Sequence, residues 1–218
     1  ASLNPRKTVS ELIEDPLKVY RVPKSERADK VRDLMDVVGL SQRFAHAYPH
    51  ELDGGRRQRF GIARALSLDP EFIVCDEPVS ALDVSIQAQI LNLLMDLQDE
   101  LGLAYMFVTH DLSVVKHISD SIMVMYLGTC IELCESEELF SHPAHPYTKA
   151  LLAAIPRPDL DCREDFQLIK GEVSSPIDPK PGCRFAPRCA YCTEKCRCET
   201  PEYREVSPGH YAACFLAE

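Results

Sequence analysis

The feature that most constrains the fold is a short apolar run, Phe72-Ile73-Val74-Cys75, ending on Asp76-Glu77-Pro78. Four apolar residues bounded by acids and a proline read as a strand buried on both faces, as in a parallel sheet. A helical pattern follows, with Ile90, Leu93, Leu94, Leu97 and Leu101 on one face and Gly102 as its stop. Residues 104–108 read as a second strand, ending at Thr109-His110-Asp111, and residues 121–126 as a third. Such strand–helix alternation predicts an α/β fold in which all three strands share a parallel sheet through crossover helices. Open sheets of this kind bind ligands at the carboxyl ends of their strands, where Asp76, Glu77 and His110 fall.

Upstream, residues 9–15 and 27–38 carry helical periodicity, interrupted by Pro16 and Pro23, with Val31, Leu34, Met35 and Val38 on one face. Gly54 and Gly55 precede a helix over 56–66 and allow close approach of another molecule to its N-terminus. Downstream, a short strand near 129–133 and a short helix near 135–140 give way to a segment punctuated by prolines. From about residue 158 apolar periodicity is weak, and the segment needs a cross-link to fold.

A formal net charge of −10 speaks against nucleic-acid binding, which draws on clustered Lys and Arg. No run approaches the roughly 18 apolar residues of a membrane span, and no basic-then-apolar leader opens the chain, so it is expected in the cytosol. That compartment bears on the ten cysteines, of which six lie within residues 183–214. Reducing conditions disfavour disulfides and make metal or cluster ligation the better reading of that group. Cys75, Cys130, Cys134 and Cys162 are scattered and read as packing.

Four contiguous motifs fall in order: Leu52-Asp53-Gly54-Gly55-Arg56-Arg57-Gln58-Arg59, then Phe72 to Pro78, then Ser80-Ala81-Leu82-Asp83, then Val108-Thr109-His110-Asp111. They resemble the signature, Walker B, D-loop and H-loop of ABC-type ATPases. The resemblance implies that Asp76 holds Mg²⁺ and that Glu77 orients the water attacking ATP. It also implies that His110 contacts the γ-phosphate, that Asp83 lies at a dimer seam, and that Gly54 and Gly55 face the nucleotide of a partner subunit. Two positions depart from the pattern: Asp53 stands for the usual Ser and Arg56 for the usual Gln. A carboxylate near a triphosphate repels it unless Arg56 or Arg57 compensates, which hints at an asymmetric pair of related subunits. No G-x-x-x-x-G-K-[ST] phosphate loop occurs in the 218 residues. Residues 1–6 resemble the segment just after the Q-loop, so the chain is expected to be a C-terminal portion that cannot turn over ATP alone.

The late cysteines sharpen the resemblance. Cys183, Cys189, Cys196 and Cys214 have the spacing C-x5-C-x6-C-x17-C, with Gly182 to Cys189 the most distinctive stretch. Together with His145-Pro146-Tyr147-Thr148-Lys149-Ala150-Leu151-Leu152, this is similar to the C-terminal extension of oligopeptide and dipeptide importer ATP-binding subunits. Four thiolates suit a 4Fe-4S cluster or Zn²⁺, and the resemblance favours the cluster. Cys192 and Cys198 lie outside the pattern as substitute ligands or spares.

The fold expected is a partial P-loop NTPase sheet with a remnant helical subdomain at 1–55, the second half of the ATPase core at 56–156 and a Cys-rich extension at 157–218. The implied partners are a second ABC ATPase subunit, two transmembrane permeases and an extracytoplasmic peptide-binding protein, which places the chain peripherally on the cytoplasmic face of the membrane. Dipeptides, longer peptides and nickel complexes all remain candidate cargo. Two other readings are a soluble ABC ATPase outside transport and an iron-sulfur or zinc module with a relic ATPase half.

Overall fold

The computed structural model describes residues 4–155, 169, 171–173, 175, 177–179 and 181–217. The chain forms two compact units, divided between His110 and Asp111.

The first unit opens with α1 (Val9–Val19), α2 (Lys24–Val37) and α3 (Gly54–Leu66), which pack on one another. Thr8 caps α1, and the Glu11 carboxylate reaches back to the Thr8 N–H at 2.8 Å, a reciprocal capping box. Pro16 was expected to interrupt this helix, yet α1 runs through it to Val19. The buried stripe Val9, Leu12, Ile13 and Leu17 continues across the proline, so burial outweighs the one backbone hydrogen bond that proline removes. In α2 the predicted face Val31, Leu34 and Met35, with Val38 just beyond, is buried.

After α3 come β1 (Phe72–Asp76), α4 (Val84–Leu101) and β2 (Ala104–Val108). The strands pair in parallel, Phe72 opposite Ala104 through Asp76 opposite Val108, with α4 as crossover. The core stripe of α4 includes Leu91 beside Ile90, Leu94 and Leu97, whereas Leu101 is exposed. Gly102 ends the helix at φ 65°, a left-handed conformation natural to glycine.

In the second unit α5 (Leu112–Ile118) leads to β3 (Ser121–Tyr126), β4 (Thr129–Glu135), α6 (Ser136–Ser141) and α7 (Pro146–Ala153). Further on come α8 (Glu194–Cys198), β5 (Arg204–Ser207) and β6 (His210–Ala212). Strand β3 is not a third parallel strand: it belongs to an antiparallel sheet of order β3-β4-β6-β5. The cause is local. Tyr126 pairs with Thr129 across Leu127 and Gly128, both at positive φ (45° and 77°), the geometry of a tight hairpin turn whose twist suits antiparallel strands. Burial along β3 alternates, Ile122, Val124 and Tyr126 inward and Met123 and Met125 outward, as in a sheet with one solvated face. Phe185 joins Ile122, Val124, Tyr126, Ile131 and Leu139 in the core of this unit. The Cys-rich segment therefore contributes both a core aromatic and two strands, β6 pairing directly with β4. No helix among the described residues is long and apolar enough to cross a membrane.

Candidate functional site

The parallel pair β1–β2 delivers its acids and its histidine to one end. Asp76 closes β1 and is exposed. Glu77 follows at φ 45°, a left-handed conformation that costs energy for any residue bearing a Cβ, and is held there because its N–H donates to the Val108 carbonyl at 2.9 Å. This bend turns the carboxylate toward the next strand. His110, two residues past β2, has Nδ1 3.1 Å from Glu77 Oε1, and both side chains remain open to solvent. The three residues named from sequence thus lie at the carboxyl ends of adjacent strands, Glu77 and His110 in contact.

The other motif residues gather around the starts of α3 and α4, which pack together. Asp53 caps α3, its Oδ1 accepting from the Arg56 N–H at 2.8 Å, while its Oδ2 pairs with Arg56 Nη1 at 2.8 Å. The guanidinium also lies over the Phe44 ring, 4.7 Å from its centroid. Asp53 and Arg56, the two positions that depart from the pattern the resemblance implies, are thus paired with each other. Asp83 caps α4 in the same manner, accepting from the Ile86 N–H at 3.0 Å.

Gly54 and Gly55 have a packing reason that the sequence did not disclose. A Cβ on Gly54 would lie 2.8 Å from Leu82 Cδ2, and one on Gly55 would lie 2.7 Å from Ile86 Cγ2. The Leu82 methyl ends a flexible side chain, whereas the Ile86 methyl sits on a branched β-carbon that moves only with χ1. Gly55→Ala is therefore expected to destabilise the chain by about 1–2 kcal/mol, overpacking outweighing the helix-propensity gain, and Gly54→Ala to be near neutral. Urea unfolding of the two variants checks the order.

The second unit holds the late cysteines. Cys183, Cys189, Cys196 and Cys214 line one small cavity, and every other side chain on it except His145 is hydrocarbon. Gly182 stands at φ 108° where any Cβ would meet the Arg197 carbonyl oxygen at 2.5 Å, so only glycine brings the Cys183 N–H to the Cys196 carbonyl at 2.8 Å. Burial pushes the Cys183 and Cys189 thiols up; backbone hydrogen bonds to each sulfur oppose it and neighbouring sulfurs add to it. A bound cation reverses that balance, and four soft sulfurs on one cavity fit a thiolate-held centre by donor type. Among the described residues no group of three or more His, Cys, Asp or Glu side chains is already arranged to hold a metal ion. Cys192 and Cys198 are off the cavity, Cys192 Sγ near the Thr193 carbonyl and Cys198 Sγ near Glu194.

Cys75 and Cys134 are buried, their thiols pushed up to about 11 and about 12 by desolvation, as packing residues should be. Cys130 is half-buried, and Cys162 lies outside the described residues.

Sequence reasoning missed Glu132 entirely. Fully buried in β4, its carboxylate accepts from the Ala144 N–H at 2.5 Å, the His145 N–H at 3.0 Å, the Thr148 hydroxyl, and His210 Nε2 at 2.8 Å. The one available signal was an acid between Ile131 and Leu133 in an apolar strand.

With this geometry in place, comparison with known proteins is decisive. The ABC transporter family profile matches residues 1–80. The profile of the oligopeptide/dipeptide transporter C-terminal region matches residues 131–196. The dipeptide transport ATP-binding protein DppF of Haemophilus influenzae is 54% identical over 216 residues, covering 99% of this chain and 66% of that protein. The putative oligopeptide transport ATP-binding protein YkfD of Bacillus subtilis is 52% identical over 220 residues, covering 99% and 67%. The chain belongs to the family of oligopeptide and dipeptide ABC transporter ATP-binding subunits. It spans about two thirds of the length of these relatives. Among solved structures, the ATP-binding cassette MJ0796, a dimer in a post-hydrolysis state with ADP and phosphate, shares 34% identity at a TM-score of 0.49, covering 56% of this chain and 53% of that one.

Proposed function

We propose that this chain supplies the hydrolytic carboxylates of an ATPase that drives peptide import through a membrane transporter. The observation that carries the reading is the 3.1 Å contact between Glu77 Oε1 and His110 Nδ1, beside Asp76 at the strand ends. In this reading Glu77 orients the attacking water and accepts its proton, and His110 parts from Glu77 to stabilise charge on the γ-phosphate. Asp76 holds Mg²⁺, which supplies neutralisation of the phosphate oxygens. Gly54, Gly55 and the first N–H groups of α3 face the nucleotide of a second subunit, with the charge of Asp53 paired by Arg56 and Asp83 at the seam.

The second ABC subunit is a related, non-identical one in this proposal, and the pair works with two permeases and an extracytoplasmic peptide-binding protein from the cytoplasmic face. The printed functions of the relatives, dipeptide and oligopeptide transport, support peptide cargo. Residues 1–55 serve as the helical region with the signature, 56–156 as the second half of the ATPase core and 157–218 as the Cys-rich extension. Cys183, Cys189, Cys196 and Cys214 hold a 4Fe-4S cluster, with Zn²⁺ the second reading; their common cavity supports either.

The test is a chimera in which an ABC subunit segment bearing a G-x-x-x-x-G-K-[ST] loop is joined ahead of this chain. The chimera is expected to hydrolyse ATP in a Mg²⁺-dependent manner. A chimera that binds ATP with no turnover would make the ATPase half a relic and overturn the reading.

A further inference from the structure

Helix α1 ends in a Schellman turn: the Val22 N–H donates to the Leu17 carbonyl at 2.9 Å and the Arg21 N–H to the Lys18 carbonyl at 3.1 Å. Helix α2 closes with the same pair of bonds, the Leu40 N–H to the Met35 carbonyl at 2.8 Å and the Gly39 N–H to the Asp36 carbonyl at 2.9 Å. Such a turn requires one left-handed residue. After α2 that residue is Gly39 at φ 66°, but after α1 it is Arg21 at φ 58°, a conformation that strains any residue with a Cβ. At this turn the chain carries a cation where glycine would be the relaxed choice. The apolar residues around it are divided. Leu17 is fully buried and Val22 half-buried, whereas Val19 and Tyr20 are 75% and 71% exposed. Residues 17–25 carry three cations and no acid, in a chain of net charge −10. Lys18 pairs with Glu14 at 2.7 Å, while Arg21 and Lys24 are exposed and make no ion pair among the described residues.

We propose that the turn between α1 and α2, Val19-Tyr20-Arg21 with Lys24, is a membrane-surface contact that binds anionic lipid headgroups. The charges call for an anionic partner, and the side chains beside them say which kind. Val19 and Tyr20 project from a turn instead of lining a groove; an apolar side chain and an amphipathic tyrosine next to free cations suit the boundary of hydrocarbon and water, where guanidinium and ammonium groups meet lipid phosphate. The Schellman bonds hold both side chains out in advance, so little ordering is needed on binding. The inference rests on the membrane-peripheral placement proposed above and extends it. It does not depend on ATP turnover.

The chain contains no tryptophan, so Tyr20→Trp places a single indole at the tip of the full chain. With vesicles of phosphatidylglycerol and phosphatidylcholine in equal parts, its emission is expected to shift to the blue and to be quenched by brominated acyl chains. With phosphatidylcholine alone neither should occur. Added to this reporter, Lys24→Gln is expected to weaken binding about fivefold, and about 0.5 M NaCl to abolish it. Arg21→Gly separates function from fold: it should raise the urea midpoint by relieving the left-handed strain and still weaken vesicle binding about fivefold. A residue kept there for stability alone would not show that opposition. An indole unmoved by either vesicle overturns the proposal, as does equal binding to both vesicles, which would leave the cations without a role. A shift produced by poly-glutamate and not by vesicles assigns the tip to an acidic protein partner and overturns it likewise, and vesicle binding unaltered by Arg21→Gly overturns the part given to Arg21. The ATPase reading fails separately: vesicle binding can be absent while the chimera hydrolyses ATP, and a chimera without turnover can still bind vesicles through this turn.

Discussion

Glu77→Gln in the ATP-competent chimera is expected to lower turnover by about 10²–10³-fold while leaving ATP binding and the unfolding midpoint unchanged. The amide keeps the shape and one oxygen, so the contact to His110 Nδ1 survives, but it no longer accepts a proton from water. Glu77 is half-exposed and its backbone is held by the Val108 carbonyl whichever side chain is present, so the fold does not depend on the carboxylate. The left-handed φ of 45° at Glu77 is the structural price of aiming that carboxylate across the strand ends, and strain at such a place points to function. His110→Ala is the companion measurement. It removes the partner of Glu77 without touching the carboxylate, so a loss comparable to that of Glu77→Gln would mean the pair acts as a unit. Steady-state ATPase rates beside nucleotide-binding titrations decide it; a Gln variant that retains full turnover removes Glu77 from the chemistry.

The groups proposed for hydrolysis could be placed together from sequence because each lies in a contiguous run: a strand-end acid pair and a strand-end histidine fall within a few residues of an apolar stretch. Parallel pairing of β1 with β2 followed from the same runs. What was lost was whatever depends on partners distant along the chain or on backbone torsion. The path of α1 through Pro16 is decided by the packing of Leu12, Ile13 and Leu17, which a local rule about proline does not weigh. The reversal of β3 is decided at Leu127-Gly128, a dipeptide without the Asn-Gly signature of such turns. The glycines of the signature were read toward a nucleotide, and their close fit to Leu82 and Ile86 required knowing that α3 and α4 start side by side. The Cys-rich segment looked unable to fold unaided because its partner strand, β4, lies some 80 residues earlier: His210 and Glu132 are separated by 78 positions.

That last separation sets the largest stability effect in the molecule. Glu132→Ala is expected to destabilise the second unit by about 3–5 kcal/mol, a large part of the 5–15 kcal/mol that typically holds a domain together. Removing the carboxylate strands the N–H groups of Ala144 and His145, the Thr148 hydroxyl and the His210 ring in a region closed to water, and each such orphan costs about 1–3 kcal/mol. His210 keeps one contact, Nδ1 to Glu138 Oε1 at 3.7 Å, too long to replace the bond it loses. Glu132→Gln should fall between wild type and Ala, because one amide oxygen still accepts while the NH₂ is turned toward donors. The damage has a predicted direction. His210 lies on β6, whose Ala212 pairs with Glu132 itself, so hydrogen exchange should quicken first across β5 and β6 and the start of α7. Amides of α1–α3 should be unaffected at early times. An Ala variant with an unchanged urea midpoint would mean that Glu132 is hydrated and that another contact holds β6. The expected result makes one buried acid the point through which the sheet, the His145 segment and the cysteine cavity keep their places, since Cys214 follows β6 by only two residues.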